Sequence, residues 1–223
     1  MTAQHAHPNQ QPDHRFTAAV RRVTARTAGT AATAGTAGAT GAAERADTAA
    51  WSLTAVRALA GARILLGSVF LWAFLDKAFG WGYATGSAQS WTGAGSPTKG
   101  FLSHVAAGPL ESTFHGWAGQ AWADWLFMLG LLGLGAALMS GVALRLTAVS
   151  GILLLALMWT AEWPPARYLS TGAASGSSNP VVDYHVLYAV LLVVLAATGA
   201  GATWGLGRTW ARLPVVRDHA WLR

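Results

Sequence analysis

Beyond residue 55 the chain alternates between four long apolar blocks and shorter polar stretches. The first block covers 56–79 and contains ILLGSVFLWAF. The second covers 122–140, with WLFMLGLLGLGAALM, and the third covers 146–163, with GILLLALMWTAEW. The fourth covers 182–205, with VLYAVLLVVLAATGAG. None of them alternates with a period of two, and none carries the polar face that a surface helix of a soluble protein presents. Each comes close to the roughly 20 residues that cross about 30 Å of hydrocarbon at 1.5 Å per residue. The third is the shortest and suits a thin bilayer or little tilt. The pattern predicts an all-α protein, an integral membrane four-helix bundle.

The stretches between the blocks differ in kind. Residues 80–121 make a connection too long to be a bare loop. Ser96-Pro97 predicts a short helix carrying Phe101, Leu102 and Val105. Pro109, Leu110, Phe114 and Trp117 predict a second semi-apolar piece. Together they read as an outer cap of short interfacial or re-entrant helices. Asn179 and Pro180 suit the N-cap and first turn of the fourth helix, which then runs over 180–205. Its first turns place Asp183, Tyr184 and His185 at the outer headgroup level, with Tyr184 and Tyr188 on one face. Residues 1–52 are unlike the rest, because Thr27 to Ala43 contains only Ala, Thr and Gly. Such a segment buries too little apolar surface to offset its ordering entropy, and it reads as a disordered cytoplasmic tail. The first 30 residues show no apolar core of a signal peptide. The membrane domain then spans 53–213, and a second cytoplasmic tail covers 214–223.

Composition narrows the class. Charged residues make up 11% of 223 positions, against about 25% in soluble proteins. So few charges cannot coat a water-exposed surface, and a soluble enzyme is excluded. The chain has no Cys, which removes disulfides, thiolate nucleophiles, Cys-held clusters and c-type haem. The net charge of +6 becomes informative once the charges are sorted by side. Arg15, Arg21, Arg22, Arg26, Arg45, Arg57, Arg63, Arg145, Arg208, Arg212, Arg217 and Arg223 fall on one side of a four-span topology. The other side holds Lys77, Lys99 and Arg167. Cytoplasmic faces collect Lys and Arg, so both termini are expected to be cytoplasmic in a multi-pass membrane protein. The basic balance is thereby explained by topology and needs no nucleic-acid partner. Trp72, Trp81, Trp91, Trp117, Trp122, Trp125, Trp159 and Trp163 cluster toward the outer ends, where indoles favour the headgroup boundary.

Candidate chemistry is sparse. Arg63 lies about two turns into the first block, where an ionisable residue either serves a function or snorkels to the inner headgroups. Asp76 and Lys77 sit at the outer end of that block. With Asp183, Tyr184 and His185 they make up the candidate polar site, and Asp124 and Glu162 complete the charges near the spans. His104, His115 and His185 share the outer side with carboxylates, but no pair has ligand spacing, so no metal is assigned. No block carries a His in its central third, which argues against b-type haem. No nucleotide-binding or nucleophile-elbow motif occurs in strand–helix context. The glycines of GLLGLGAALMSG fit close helix packing.

Taken in order, ARILLGSVFLWAFLDKAFGWGY, GSPTKGFL, a Gly-rich second block, an Arg in the turn after it and NPVVDYHVLY resemble the DoxX/DoxD-like family. These are small bacterial four-helix membrane proteins, and the family includes the large subunit of thiosulfate:quinone oxidoreductase. The resemblance covers about residues 55–213. It implies a bacterial plasma membrane location, quinone as electron acceptor, and a second protein subunit or a homo-oligomer beside the lipid bilayer. The expected function is then a subunit of a quinone-linked oxidoreductase system. A non-enzymatic scaffold that docks a partner is the alternative, motivated by the lack of a convergent catalytic cluster. A small dimeric transporter ranks last, because no Asp or Glu lies in the middle of a block.

Overall fold

The structure is a computed structural model, and it describes residues 52–222. The disordered tail expected over residues 1–52 therefore lies outside the described residues except for Ser52. The described residues are helical, with one isolated antiparallel bridge between Tyr168 and Ala174 and no strand. Eight helices follow in order: α1 Ser52–Phe79, α2 Lys99–Leu102, α3 Glu111–Trp117, α4 Ala121–Ser140, α5 Leu144–Glu162, α6 Tyr184–Ala197, α7 Gly207–Trp210 and α8 Pro214–Asp218. Three of them, α1, α4 and α5, are long and apolar enough to cross a membrane. Their bounds lie within a few residues of the first three apolar blocks.

The fourth block behaves differently from the expectation. Its helix, α6, has 14 residues rather than running over 180–205. Asp183, not Asn179, is the N-cap, and its carboxylate accepts from the N–H groups of His185 at 3.0 Å and Val186 at 3.2 Å. Asn179 instead accepts from Val181 and Val182, both at 2.9 Å, and so closes a turn before the helix. At the other end Gly199 takes φ +62°, which ends the helix, and a 3-10 turn follows over Ala200–Ala202. The C-terminal segment, expected as a tail over 214–223, forms α8 and a 3-10 turn, with Val216 buried and Trp210 Nε1 donating to the Leu222 carbonyl at 2.7 Å.

Apolar residues of four helices meet in one core. Leu66 and Phe70 of α1, Leu131, Leu134 and Leu138 of α4, Leu155 of α5, and Leu192 and Leu195 of α6 are all buried in it. Their spacing of three or four places each on one side of its helix. The opposite sides carry exposed apolar rows, such as Leu65 and Val69, Leu126 and Leu129, Val149 and Leu153, and Val190 and Val193. Rows of that kind suit lipid rather than water.

Glycine sets the closest approach. A Cβ on Gly135 would lie 2.8 Å from the Leu71 backbone nitrogen, and one on Gly67 would lie 2.9 Å from Leu138 Cβ. Helices α1 and α4 therefore meet nearly backbone to backbone at these points. Gly133 meets nothing within 4 Å, so only some glycines of the second block serve packing.

The helices have two distinct ends. At the cap end, α2 and α3 cover the bundle, and Val105, Phe114 and Ala161 form a small second core with Leu102 and Trp117. At the turn end, α4 passes to α5 through Gly141 at φ +74°, whose N–H returns to the Ala137 carbonyl at 2.8 Å.

Candidate functional site

The cap expected over 80–121 contains two short helices, with Val105 beyond the end of α2, and buried acids fasten it. Asp124, in the first turn of α4, accepts three hydrogen bonds on Oδ1: from Ser96 Oγ at 2.9 Å, Thr98 N at 3.0 Å and Thr98 Oγ1 at 2.6 Å. That ties the start of α2 to α4. Asp76 is 1% exposed. It accepts from the N–H groups of Tyr83 at 3.3 Å and Ala84 at 2.9 Å, which turns the chain back over the end of α1. Both carboxylates are spent on main-chain and hydroxyl donors within the fold.

Beneath this cap lies a cavity of about 300 Å³. Phe101 and Leu102 of α2, Phe114 and Trp117 of α3, Trp122 and Phe127 of α4, and Leu154, Leu157 and Met158 of α5 form its walls. Trp117 stands edge-on to Phe114 at 5.6 Å and to Trp122 at 5.4 Å. The walls are therefore ordered aromatic faces. Lys77, Thr98, Glu162 and Tyr184 are the polar residues among its lining. Thr98 is committed to Asp124, which leaves Lys77, Glu162 and Tyr184 as the groups able to address a ligand.

Two of these groups are joined across helices. The Tyr184 hydroxyl donates to Glu162 Oε1 at 2.7 Å and so links the start of α6 to the end of α5. Next to it, His185 Nδ1 donates to Asp183 Oδ2 at 2.8 Å, and the Tyr184 ring lies over the His185 ring at 4.0 Å. His185 is 1% exposed, and its Nε2 is buried without a hydrogen-bond partner. Glu162, Asp183 and His185 bring one ligand atom each within 4.8 Å of one another. Asp183 is bonded to His185 and Glu162 accepts from Tyr184, while His185 Nε2 keeps no partner among the described residues. The fold thus gathers three groups of metal-ligand type that sequence spacing did not bring together.

The predicted site residues separate into two ends of the molecule. Lys77 and Tyr184 line the cavity, and Asp183 and His185 adjoin it. Asp76 is turned into the loop it holds, although it interacts electrostatically with Lys77. Arg63 lies at the turn end and is 0% exposed. It neither snorkels nor reaches the cavity. Its Nη1 donates to the carbonyls of Leu138 and, at 3.0 Å, Met139. Its Nη2 donates to those of Thr203 at 3.3 Å and Trp204 at 2.9 Å. The guanidinium fork thus binds the last turn of α4 to the segment after α6. His104 and His115 each bond a nearby carbonyl, of Gly100 at 2.6 Å and Val105 at 2.7 Å, and do not join His185.

Sequence reasoning set Glu162 among charges near the spans but not in the site. The signal was its place at the last position of an apolar helix. Trp117 and Trp122 read as plain interface anchors, yet they are cavity walls. No known protein family, curated protein or solved structure matches this chain.

Proposed function

We propose that the chain is a DoxX/DoxD-like, four-span membrane protein and a subunit of a quinone-linked oxidoreductase system. In this reading α6 with the segment after it makes the fourth crossing, both termini are cytoplasmic, and the cap faces outward in a bacterial plasma membrane. The cap-end cavity is the observation that carries the reading. It is apolar and aromatic with few polar groups, which suits a flat lipid-soluble ring with oxygen substituents. Its volume is at the low end for ligand pockets, enough for a headgroup while an isoprenoid tail stays in lipid. A quinone takes up two electrons and two protons. In this reading the Lys77 ammonium donates to a ring oxygen. The Tyr184–Glu162 pair touches the cavity, and Glu162 is solvent-exposed, so the pair gives protons a route to water. The electron donor reaches the site from a partner subunit or from solution.

The test is turnover in nanodiscs. The protein with thiosulfate or another donor should reduce a soluble quinone analogue, and Tyr184→Phe should slow it. Failure of every donor, even with neighbouring gene products added, removes the enzymatic reading. A second reading is a membrane scaffold, favoured by one observation: Arg63, Asp76 and Asp124 all serve to hold the fold together. Recovery of a stoichiometric partner without donor-dependent activity would support it.

A further inference from the structure

The end of α5 and the start of α6 bring two carboxylates and an imidazole together. Glu162 is the last residue of α5, Asp183 is the N-cap of α6, and His185 lies in the first turn of α6. One ligand atom from each lies within 4.8 Å of the others. On a zinc ion with ligands at about 2.0–2.2 Å, tetrahedral neighbours stand about 3.4 Å apart. Glu162 is exposed, so rotation of its side chain can close that difference without moving a helix.

The charges suit a cation. Among the described residues neither carboxylate pairs with a Lys or Arg; the ion pairs there are His185–Asp183 and Arg217–Asp218. Lys77 lines the same cavity as Glu162, but its electrostatic partner is Asp76. The first N–H groups of α6 carry positive partial charge, which opposes a cation. Asp183 Oδ1 already accepts from two of them, at His185 and Val186.

The His185 ring points to a ligand independently of the acids. The residue is 1% exposed, and its Nδ1 donates to Asp183 Oδ2 at 2.8 Å. With the proton on Nδ1, a neutral imidazole carries its lone pair on Nε2. That nitrogen is buried and has no hydrogen-bond partner among the described residues. Buried polar atoms are nearly always satisfied, and an exception calls for an ion, a water or a chemical role. A carboxylate on the far nitrogen of a metal-bound His fixes its tautomer and raises its basicity, and Asp183 stands in that place. Glu162 Oε1 accepts from the Tyr184 hydroxyl at 2.7 Å, which leaves a carboxylate further lone pairs for a metal. An imidazole among the ligands favours a transition metal over Mg²⁺ or Ca²⁺, which take oxygen ligands.

We infer that Glu162, Asp183 and His185 form a binding site for one divalent transition-metal ion, with Zn²⁺ as its probe. His185 and Glu162 supply ligand atoms, Asp183 orients the imidazole and adds charge, and water completes the coordination. The ion ties the end of α5 to the start of α6. The inference stands apart from the quinone reading, because its test needs neither an electron donor nor a quinone.

The sequence also holds His5, His7 and His14, so the reference protein is the full chain with His5→Gln, His7→Gln and His14→Gln. Calorimetric titration of that protein in detergent with Zn²⁺ should show one saturable site, with Mg²⁺ unable to compete. At a Zn²⁺ concentration about 100 times Kd, Tm should rise by roughly 5–11 °C. Glu162→Gln, His185→Gln and Asp183→Asn should each weaken Zn²⁺ binding by roughly tenfold to hundredfold. Asn preserves the N-cap, and Glu162→Gln changes an exposed side chain, so both stay informative if His185→Gln fails to fold. His104→Gln alters an exposed ring bonded to the Gly100 carbonyl and should leave the affinity unchanged. No saturable Zn²⁺ site, unchanged affinity in any folded variant of the three, equal weakening in His104→Gln, or displacement by Mg²⁺ would overturn the inference.

Discussion

Replacing Arg63 with methionine removes a cation that reaches two segments far apart in the chain. Its four acceptors belong to α4 and to the 203–204 segment, at sequence separations of 75 to 141 residues. Hydrogen bonds to a charged group contribute about 1.5–3 kcal/mol each. They share one guanidinium whose burial is itself costly, so their contributions do not add. A net loss of about 3–5 kcal/mol is expected, the range seen when one side of a buried charged network is removed. For a domain of this size that is a fall in Tm of roughly 6–20 °C. Arg63→Lys should lose about half as much, because one ammonium cannot fork between two segments. The assay is thermal unfolding in detergent followed by circular dichroism, with amide exchange read in parallel. The Leu206 N–H, which bonds the Ser140 carbonyl at 2.7 Å, should lose protection first. Unfolding of Arg63→Met at the wild-type temperature, with Leu206 still protected, would refute the clamp.

Other perturbations follow from the same contacts. Gly135→Val should cost about 1–3 kcal/mol by driving α1 from α4, while Gly133→Ala, facing open space, should leave the unfolding midpoint unchanged or raise it slightly. Asp124→Ala should release the cap, seen as faster limited proteolysis within 90–110 and a loss of about 1.5–3 kcal/mol from its three hydrogen bonds. Asp183→Ala should lower stability by about 1 kcal/mol through the lost N-cap, with amide exchange rising at His185 and Val186 and not at Asn179.

The three long helices were legible because their signal is local and long: unbroken apolar runs of membrane length. The short cap helices were legible from Ser96-Pro97 and Pro109. The end of α6 was not, because VLAATGAG continues the apolar run while the backbone breaks at Gly199. That break has a tertiary cause. Gly201, Gly205 and Gly207 crowd against Gly141, Ser140 and Arg63, where a side chain would collide. Choosing between Asn179 and Asp183 as N-cap also exceeded local information, since both residues accept N–H bonds and only one starts the helix. Arg63 read as snorkelling or functional because its acceptors lie in distant segments. The site was half legible. Tyr184 and Lys77 stood out as polar groups at an apolar boundary, but the Tyr184–Glu162 bond spans a 21-residue connection that no periodicity predicts.

Photolabelling with an azido-quinone most directly tests the claim that the cap-end cavity holds a quinone ring. The protein in nanodiscs would be irradiated, digested and mapped by mass spectrometry, with unlabelled quinone as competitor and Ala161→Trp as a variant that fills the cavity. The account predicts label in peptides covering 114–127 and 154–162, lost with competitor and lost in Ala161→Trp. Label spread over the exposed faces of α1 and α6, insensitive to both, would contradict it.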